Sequence, residues 1–226
     1  MSTMEVKFAE NIRSVIKHYK AIVITADVSN APTDDRLWSE IEAAGRRIKD
    51  GYAIDQIKRR PAISATRTAY KLLGKDPNRY RPSAESLCRR VVNGKGLYRL
   101  TTMVDIINLI SMETGYSIGG FDAEKVSGSV LTLGVGVAGE EFDAIGRGLL
   151  NIAGLPVYRD ESGPIGTPTS DVVRTSLTES TKKLLMIVNM YGEESTDEDA
   201  VIDMSVALLK KYASAEKISI EKYLLS

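Results

Sequence analysis

The chain has 226 residues, 43% of them hydrophobic, and balances 30 basic against 30 acidic side chains; it is long enough to bury a sizeable core. No stretch approaches the roughly 20 apolar residues that span a bilayer, and the opening MSTMEVKFAENIRS lacks the apolar centre of a signal peptide, so a cytoplasmic protein is expected. One Cys and one His rule out an internal disulfide framework and a zinc finger, and neither metal nor cofactor is expected.

In chain order, residues 20–27 (KAIVITAD) read as a buried strand. Thr33 or Asp34 caps a helix running to about Lys49, with Leu37, Trp38, Ile41 and Ala44 at helical spacing. Residues 53–73 form one or two helices interrupted near Pro61 and stopped by Gly74. Ser83 is the expected N-cap of a helix to about Asn93, and Asn93-Gly94-Lys95-Gly96 is a loop. Leu100 to Thr114 is an apolar helix ended by Gly115, after which Gly119-Gly120-Phe121-Asp122 reads as a double-glycine turn closed by an Asp. Strands are expected at 128–137, at Val157-Tyr158 and from Leu184 to Met190. Residues 159–171 (RDESGPIGTPTSD) look too rich in Gly and Pro for a regular element, and Ser195-Thr196-Asp197-Glu198 is a capping box opening a helix to about Ala213. Strands and helices mix without strict alternation, which predicts an α+β fold with a mixed β-sheet flanked by helices, and one domain over residues 1–226.

The neutral total hides a segregation of charge. Residues 46–99 carry 15 basic and 4 acidic side chains, net +11; residues 1–45 are net −2 and residues 100–226 net −9. A local excess of this size attracts polyanions unless the cations pair with the acidic remainder of the fold.

Several features invite a chemical reading. Gly134-Val135-Gly136-Val137-Ala138-Gly139 is a literal GxGxxG, but Glu140, Glu141 and Asp143 follow it and would repel a phosphate, so a glycine-rich turn is the better reading. Cys88 lies beside Arg89 and Arg90, which lower a thiol pKa, yet Leu87 and Val91 point to burial and a structural role. His18, between Lys17 and Tyr19, reads as a surface residue. Asn108 sits in an otherwise apolar helix, where a buried amide left unbonded costs about 1–3 kcal/mol. It either satisfies a loop or faces a ligand, and Asp105 on the same face can join it. Residues 163–179 (GPIGTPTSDVVRTSLTE) form a hydroxyl-rich loop of the kind that lines pockets.

Four blocks, NRYRPSAESLCRRV, VDIINLISMETGYSIGGFD, GEEF and TSLTEST, resemble the B3/4 domain of the phenylalanyl-tRNA synthetase β-subunit, and more closely its stand-alone relatives, over roughly residues 75–192. In the synthetase this domain hydrolyses tyrosine mistakenly esterified to tRNA, without a metal. The resemblance implies a B3/4 core at 75–192 with N- and C-terminal elements packed on it. It aligns Asn108 with the site asparagine, Ile107 with a family Thr, and Gly119-Gly120-Phe121-Asp122 with H-A-F-D, so that Gly119 replaces the site His. Asp171 stands near the position of the editing Glu. A hydrolytic site so implied has Asp171 as its catalytic group and Asn108, Gly119, Gly120, Ser170, Arg174 and Thr175 around the substrate, while Arg79, Arg81, Arg89, Arg90 and Lys95 meet nucleic acid. The resemblance implies tRNA or aminoacyl-tRNA as the partner, with hydrolysis of mischarged aminoacyl-tRNA in trans as the activity it allows. The alternatives are a pocket for a free amino acid or related metabolite, favoured if the basic stretch pairs internally, and a non-catalytic module, favoured if Asp171 points away from Asn108 and Gly119.

Overall fold

The computed structural model describes residues 4–192 and 198–225. In chain order the elements are β1 (Glu5–Phe8), α1 (Glu10–Arg13), β2 (Tyr19–Asp27), α2 (Asp35–Gly51), α3 (Pro61–Leu72), α4 (Ser83–Val92), α5 (Thr102–Thr114), β3 (Ser117–Asp122) and β4 (Val130–Val135). They continue with β5 (Asp143–Ala144), β6 (Gly148–Leu149), β7 (Pro156–Asp160), β8 (Gly163–Thr167), β9 (Ser170–Asp171), β10 (Lys183–Tyr191), α6 (Glu198–Ala213) and β11 (Glu216–Leu225). The fold is α+β.

Two sheets carry the molecule where one was expected. An antiparallel sheet has the order β11-β2-β10-β3, and a second, mixed sheet has the order β1-β4-β7-β8-β9, with β1 parallel to β4. The reason lies in the two central strands. Ile22, Ile24 and Ala26 of β2 and Leu184, Met186, Val188 and Met190 of β10 face a core shared with α2, α4, α5 and α6. Their neighbours Ala21, Val23, Leu185 and Ile187 face Leu131, Leu133, Val157 and Ile165 of the second sheet. Side chains alternate across a strand, so a strand covered on both faces must be apolar at every position. That is why KAIVITAD and LLMIVNM read as unbroken apolar runs.

The helix ends follow local chemistry. Asp34 caps α2, its carboxylate accepting from the Leu37 N–H at 2.8 Å, and Gly115 ends α5 in the left-handed region at φ 82°. Pro61 occupies the first turn of α3, where its missing N–H costs nothing. The cap of α4 departs from expectation: Pro82 is the N-cap residue and Ser83 is already helical, its N–H donated to the Pro168 carbonyl at 2.8 Å. Ser195, Thr196 and Asp197 of the expected capping box lie outside the described residues.

Three further expectations are corrected. Gly119 and Gly120 lie inside strand β3, paired with Ile187 and Met186 of β10, and do not form a turn. Residues 159–171 are not irregular: β7 and β8 pair through the turn at Glu161-Ser162, where the Asp160 carboxylate accepts the Ser162 N–H, and β8 runs on to β9. The GxGxxG stretch ends β4 and leads into a turn with no helix behind it; Glu140 there bonds Arg159 and the Val137 N–H. Gly136 is needed because a Cβ would fall 2.2 Å from the Ile152 carbonyl oxygen. No helix among the described residues is long and apolar enough to cross a membrane.

Candidate functional site

One face of α4 with the residues on either side of it, Asn108 of α5, the turn at Thr169 and the tip of the β5–β6 hairpin surround a cleft of about 500 Å³. Arg81, Arg89, Arg90 and Lys95 line it together with Asn108 and Thr169. The amphipathic pattern of α4 explains the arrangement: Ala84, Cys88 and Val91 turn inward to the core, and the opposite arc presents Ser86, Arg89 and Arg90. Arg147 joins from the hairpin, whose tip is turned by Gly146 and Gly148 at φ 67° and 68°. Five cations thus meet with no carboxylate among the lining residues. Arg79 is exposed but does not line the cleft; it lies against the Tyr80 ring.

Asn108 is half-buried on the cleft wall, and Asp105 does not join it. Asp105 is buried and accepts bonds from Thr33 Oγ1 at 2.5 Å and from the Leu100 N–H at 2.9 Å, tying the start of α5 to the segment before α2. Burial holds its carboxyl above the ordinary range against those bonds.

β3 is an edge strand of the antiparallel sheet, and residues 171–176 run along it, Ser176 bridging Phe121; neither they nor Gly119 and Gly120 are among the residues that line the cleft. The Gly120 N–H donates to Asp171 Oδ2 at 3.2 Å and the Asp122 N–H to the Thr175 carbonyl at 2.9 Å. The glycines make this approach possible. A Cβ on Gly119 would lie 2.8 Å from the Phe121 ring, and one on Gly166 would lie 2.5 Å from Asp171 Oδ1 and 2.7 Å from Phe121. A Cβ on Gly120 would meet Ile107 Cδ1 at 2.4 Å. Ile107, the residue standing where a Thr was expected, therefore packs on bare backbone at Gly120.

Asp171 points at Gly119 and Gly120 and has no cation paired with it among the described residues. Burial raises its carboxyl from 3.8 to about 7, opposed only by the Gly120 N–H. A group that titrates near neutrality and is held by one backbone donor can take up or release a proton at working pH.

The remaining expected site residues are placed differently. Arg174 makes two bonds of 2.9 Å to Asp160, whose carboxylate also accepts the Ser127 and Ser162 N–H groups. Burial pushes Asp160 up, but those bonds outweigh it and hold the carboxyl below its usual range. Arg174 is thus engaged away from Asp171. Ser170 is half-buried, its N–H and carbonyl both bonded to the Thr167 hydroxyl. Thr175 is fully buried, and its hydroxyl finds no partner among the described residues. Cys88 is buried, and burial pushes its thiol up although Arg60, rather than Arg89 or Arg90, lies 3.0 Å from the sulfur. His18 is exposed.

Within the basic stretch, Arg47 alone reaches a carboxylate of residues 100–226 among the described residues, that of Glu113. Arg67 pairs with Glu85, which Arg81 also approaches at 4.0 Å, Arg59 with Asp55 and Arg99 with Asp35. Others are held by carbonyl oxygens: Arg60 by Met112 and Glu113, Lys75 by Asn151 and Ala153. Arg147 was not legible in advance because it lies outside the basic stretch, in a segment of acidic surroundings; the glycines flanking it were the available signal.

Among solved structures, the chain is similar to an N-terminal fragment of the phenylalanyl-tRNA synthetase β-subunit from Pyrococcus horikoshii. The TM-score is 0.50 at 12% identity, over 96% of this chain and 53% of that one, so the chain spans about half the length of the solved fragment. At this identity the likeness concerns the fold. No curated protein sequence is similar enough to count as a match. The family model for the B3/4 domain matches residues 65–202, more than half of the chain and all of the cleft-forming segments, so the chain belongs to the B3/4 domain family.

Proposed function

We propose that this B3/4 protein binds tRNA through the cationic cleft and hydrolyses mischarged aminoacyl-tRNA in trans, with Asp171 as the proton-transfer group. The observation that carries this reading is the cleft itself: Arg81, Arg89, Arg90, Lys95 and Arg147 converge beside Asn108 with no lining carboxylate to neutralise them. The family relation and the synthetase β-subunit fold support it. So does the sparse pairing of the basic stretch with the acidic half.

In the proposed reaction a water attacks the ester carbonyl carbon while ionised Asp171 takes its proton. The new carbon–oxygen bond forms, the bond to the ribose oxygen breaks, and that oxygen leaves with the proton Asp171 held. The products are a free amino acid and a tRNA with a free hydroxyl. In this reading the Asn108 amide, on the cleft wall, donates to the substrate. With a carboxyl titrating at about 7, the rate rises as pH passes through neutrality and levels above it.

The test is a deacylation assay over a panel of aminoacyl-tRNAs, comparing the wild type with Asp171→Ala, alongside tRNA binding measured across salt concentrations. Affinity that falls steeply with salt, with ester release lost in the variant, is the expected result. No tRNA association at any salt concentration overturns the nucleic-acid reading; free amino acids binding instead would establish the metabolite pocket.

A further inference from the structure

We infer that the cleft takes nucleic acid as a single strand, and that Tyr98, backed by Arg90, is the platform on which one unpaired base stacks. This rests on the reading of the cleft as a polyanion site and adds the form of the ligand.

Tyr98 lies in the loop after α4 and is 66% exposed. Its ring is not loose: the Arg90 guanidinium sits 4.1 Å from the ring centroid, and Arg90 itself lines the cleft. Gly94 and Gly96, at φ 71° and 63°, turn the loop so that Leu97 packs on the core while Tyr98 is left outside it. The result is a two-layer stack at the cleft rim, with the cation below and an open aromatic face above.

A second observation concerns Arg90 alone. Its Nε is buried and has no partner among the described residues. A buried donor left unbonded is unfavourable, so a shift of Arg90 that exposes it to an oxygen of an entering phosphate or base meets no opposing bond at Nε. The stack and the unmet donor belong to one side chain.

The physical distinction lies in what each ligand can offer. A duplex shows phosphates but hides its base faces, whereas an unpaired base has an open π-face that stacks on an aromatic ring whatever its sequence. Phosphates alone would engage the cations and ignore Tyr98.

The experiment measures binding of three ligands: a labelled single-stranded RNA oligonucleotide, the same sequence as a duplex, and inorganic polyphosphate. The proteins are wild type, Tyr98→Ala, Tyr98→Phe and Lys95→Ala, each checked for an unchanged melting curve. Wild type is expected to prefer the single strand. Tyr98→Ala should weaken it about tenfold, leaving polyphosphate affinity and the salt slope unchanged, while Tyr98→Phe keeps the affinity. Lys95→Ala should weaken all three ligands and reduce the salt slope by about one. Single-strand binding indifferent to Tyr98→Ala, or a duplex bound as tightly as the single strand, overturns the stacking platform and leaves the polyanion reading intact. Failure of all three ligands to bind overturns both.

Discussion

Arg67 and Arg90 belong to the same basic stretch and sit on neighbouring helices, α3 and α4, yet one is closed off and the other open. The Arg67 guanidinium donates to Glu85 at 2.8 Å, to the Pro77 carbonyl at 3.0 Å and to Asn78 at 2.7 Å, with Glu85 almost wholly buried. Arg60 likewise bonds the last carbonyls of α5, where the helix dipole favours a cation. In the cleft only Arg81 approaches an acid, Glu85 at 4.0 Å, no carboxylate lines the wall among the described residues, and one buried nitrogen of Arg90 goes unbonded. The difference teaches that a net charge of +11 is not one property. Part of it is internal mortar, and the part left over is what an anion can meet.

The largest break in this contrast should come from its paired side. Arg67→Met strands the Glu85 carboxylate in the interior, and a loss of about 3–5 kcal/mol is expected. Chemical denaturation would read it, and a variant within 1 kcal/mol of wild type would show that the pair is not what holds α3 to α4.

Asp171 sharpens the contrast from the unpaired side. Its folded pKa of about 7 exceeds the unfolded value near 3.8, so the native state holds the proton more tightly. Stability contributed this way is complete below about pH 4 and is lost as pH rises to 7. Asp171→Asn removes the cost of ionisation and should stabilise the protein by about 1–3 kcal/mol at pH 8, with little effect at pH 4. Melting curves at the two pH values check this; equal shifts at both would mean that Asp171 does not titrate in this window. The same variant should abolish ester hydrolysis while making the protein more robust.

Arg60→Met is expected to cost less than Arg67→Met, about 1–3 kcal/mol, because the orphaned groups are helix-end carbonyls and not a charge. Its unfolding midpoint should fall between those of Arg67→Met and wild type. Last, Arg81→Ala with Lys95→Ala should change stability by about 0.5 kcal/mol or less, since exposed cations carry little folding energy. The same pair should lower the salt slope of polyanion binding by about two. A stable double variant with an unchanged slope would move the anion site elsewhere.

Much of the framework is legible in the residues alone. The continuous apolar runs of β2 and β10, the Asp34 cap of α2 and the Gly115 stop of α5 follow from strand alternation, side-chain capping and glycine's access to positive φ. Four of the five basic residues singled out in advance do meet in one cleft. β3 was misread because glycine ordinarily marks turns. Here Gly119 and Gly120 are strand residues that leave room for Phe121, Ile107 and Asp171. β8 and β9 were missed for a related reason: Pro164 and the glycines weaken any local strand signal, and pairing with β7 supplies it.

Local chemistry was therefore enough to set the central strands, the start of α2, the end of α5, the family and the charged stretch, because each depends on neighbours a few residues apart or on side-chain type. Which cations stay open, that Asp171 has only a backbone partner among the described residues and that Arg174 has a carboxylate depend on groups far apart in the chain. Arg147 reaches the wall formed by Arg90 only when the β5–β6 hairpin is in place, and Asp171 meets Gly120 across 51 residues. Burial and pairing of that kind belong to packing, and it is packing that separates the inner cations from the site.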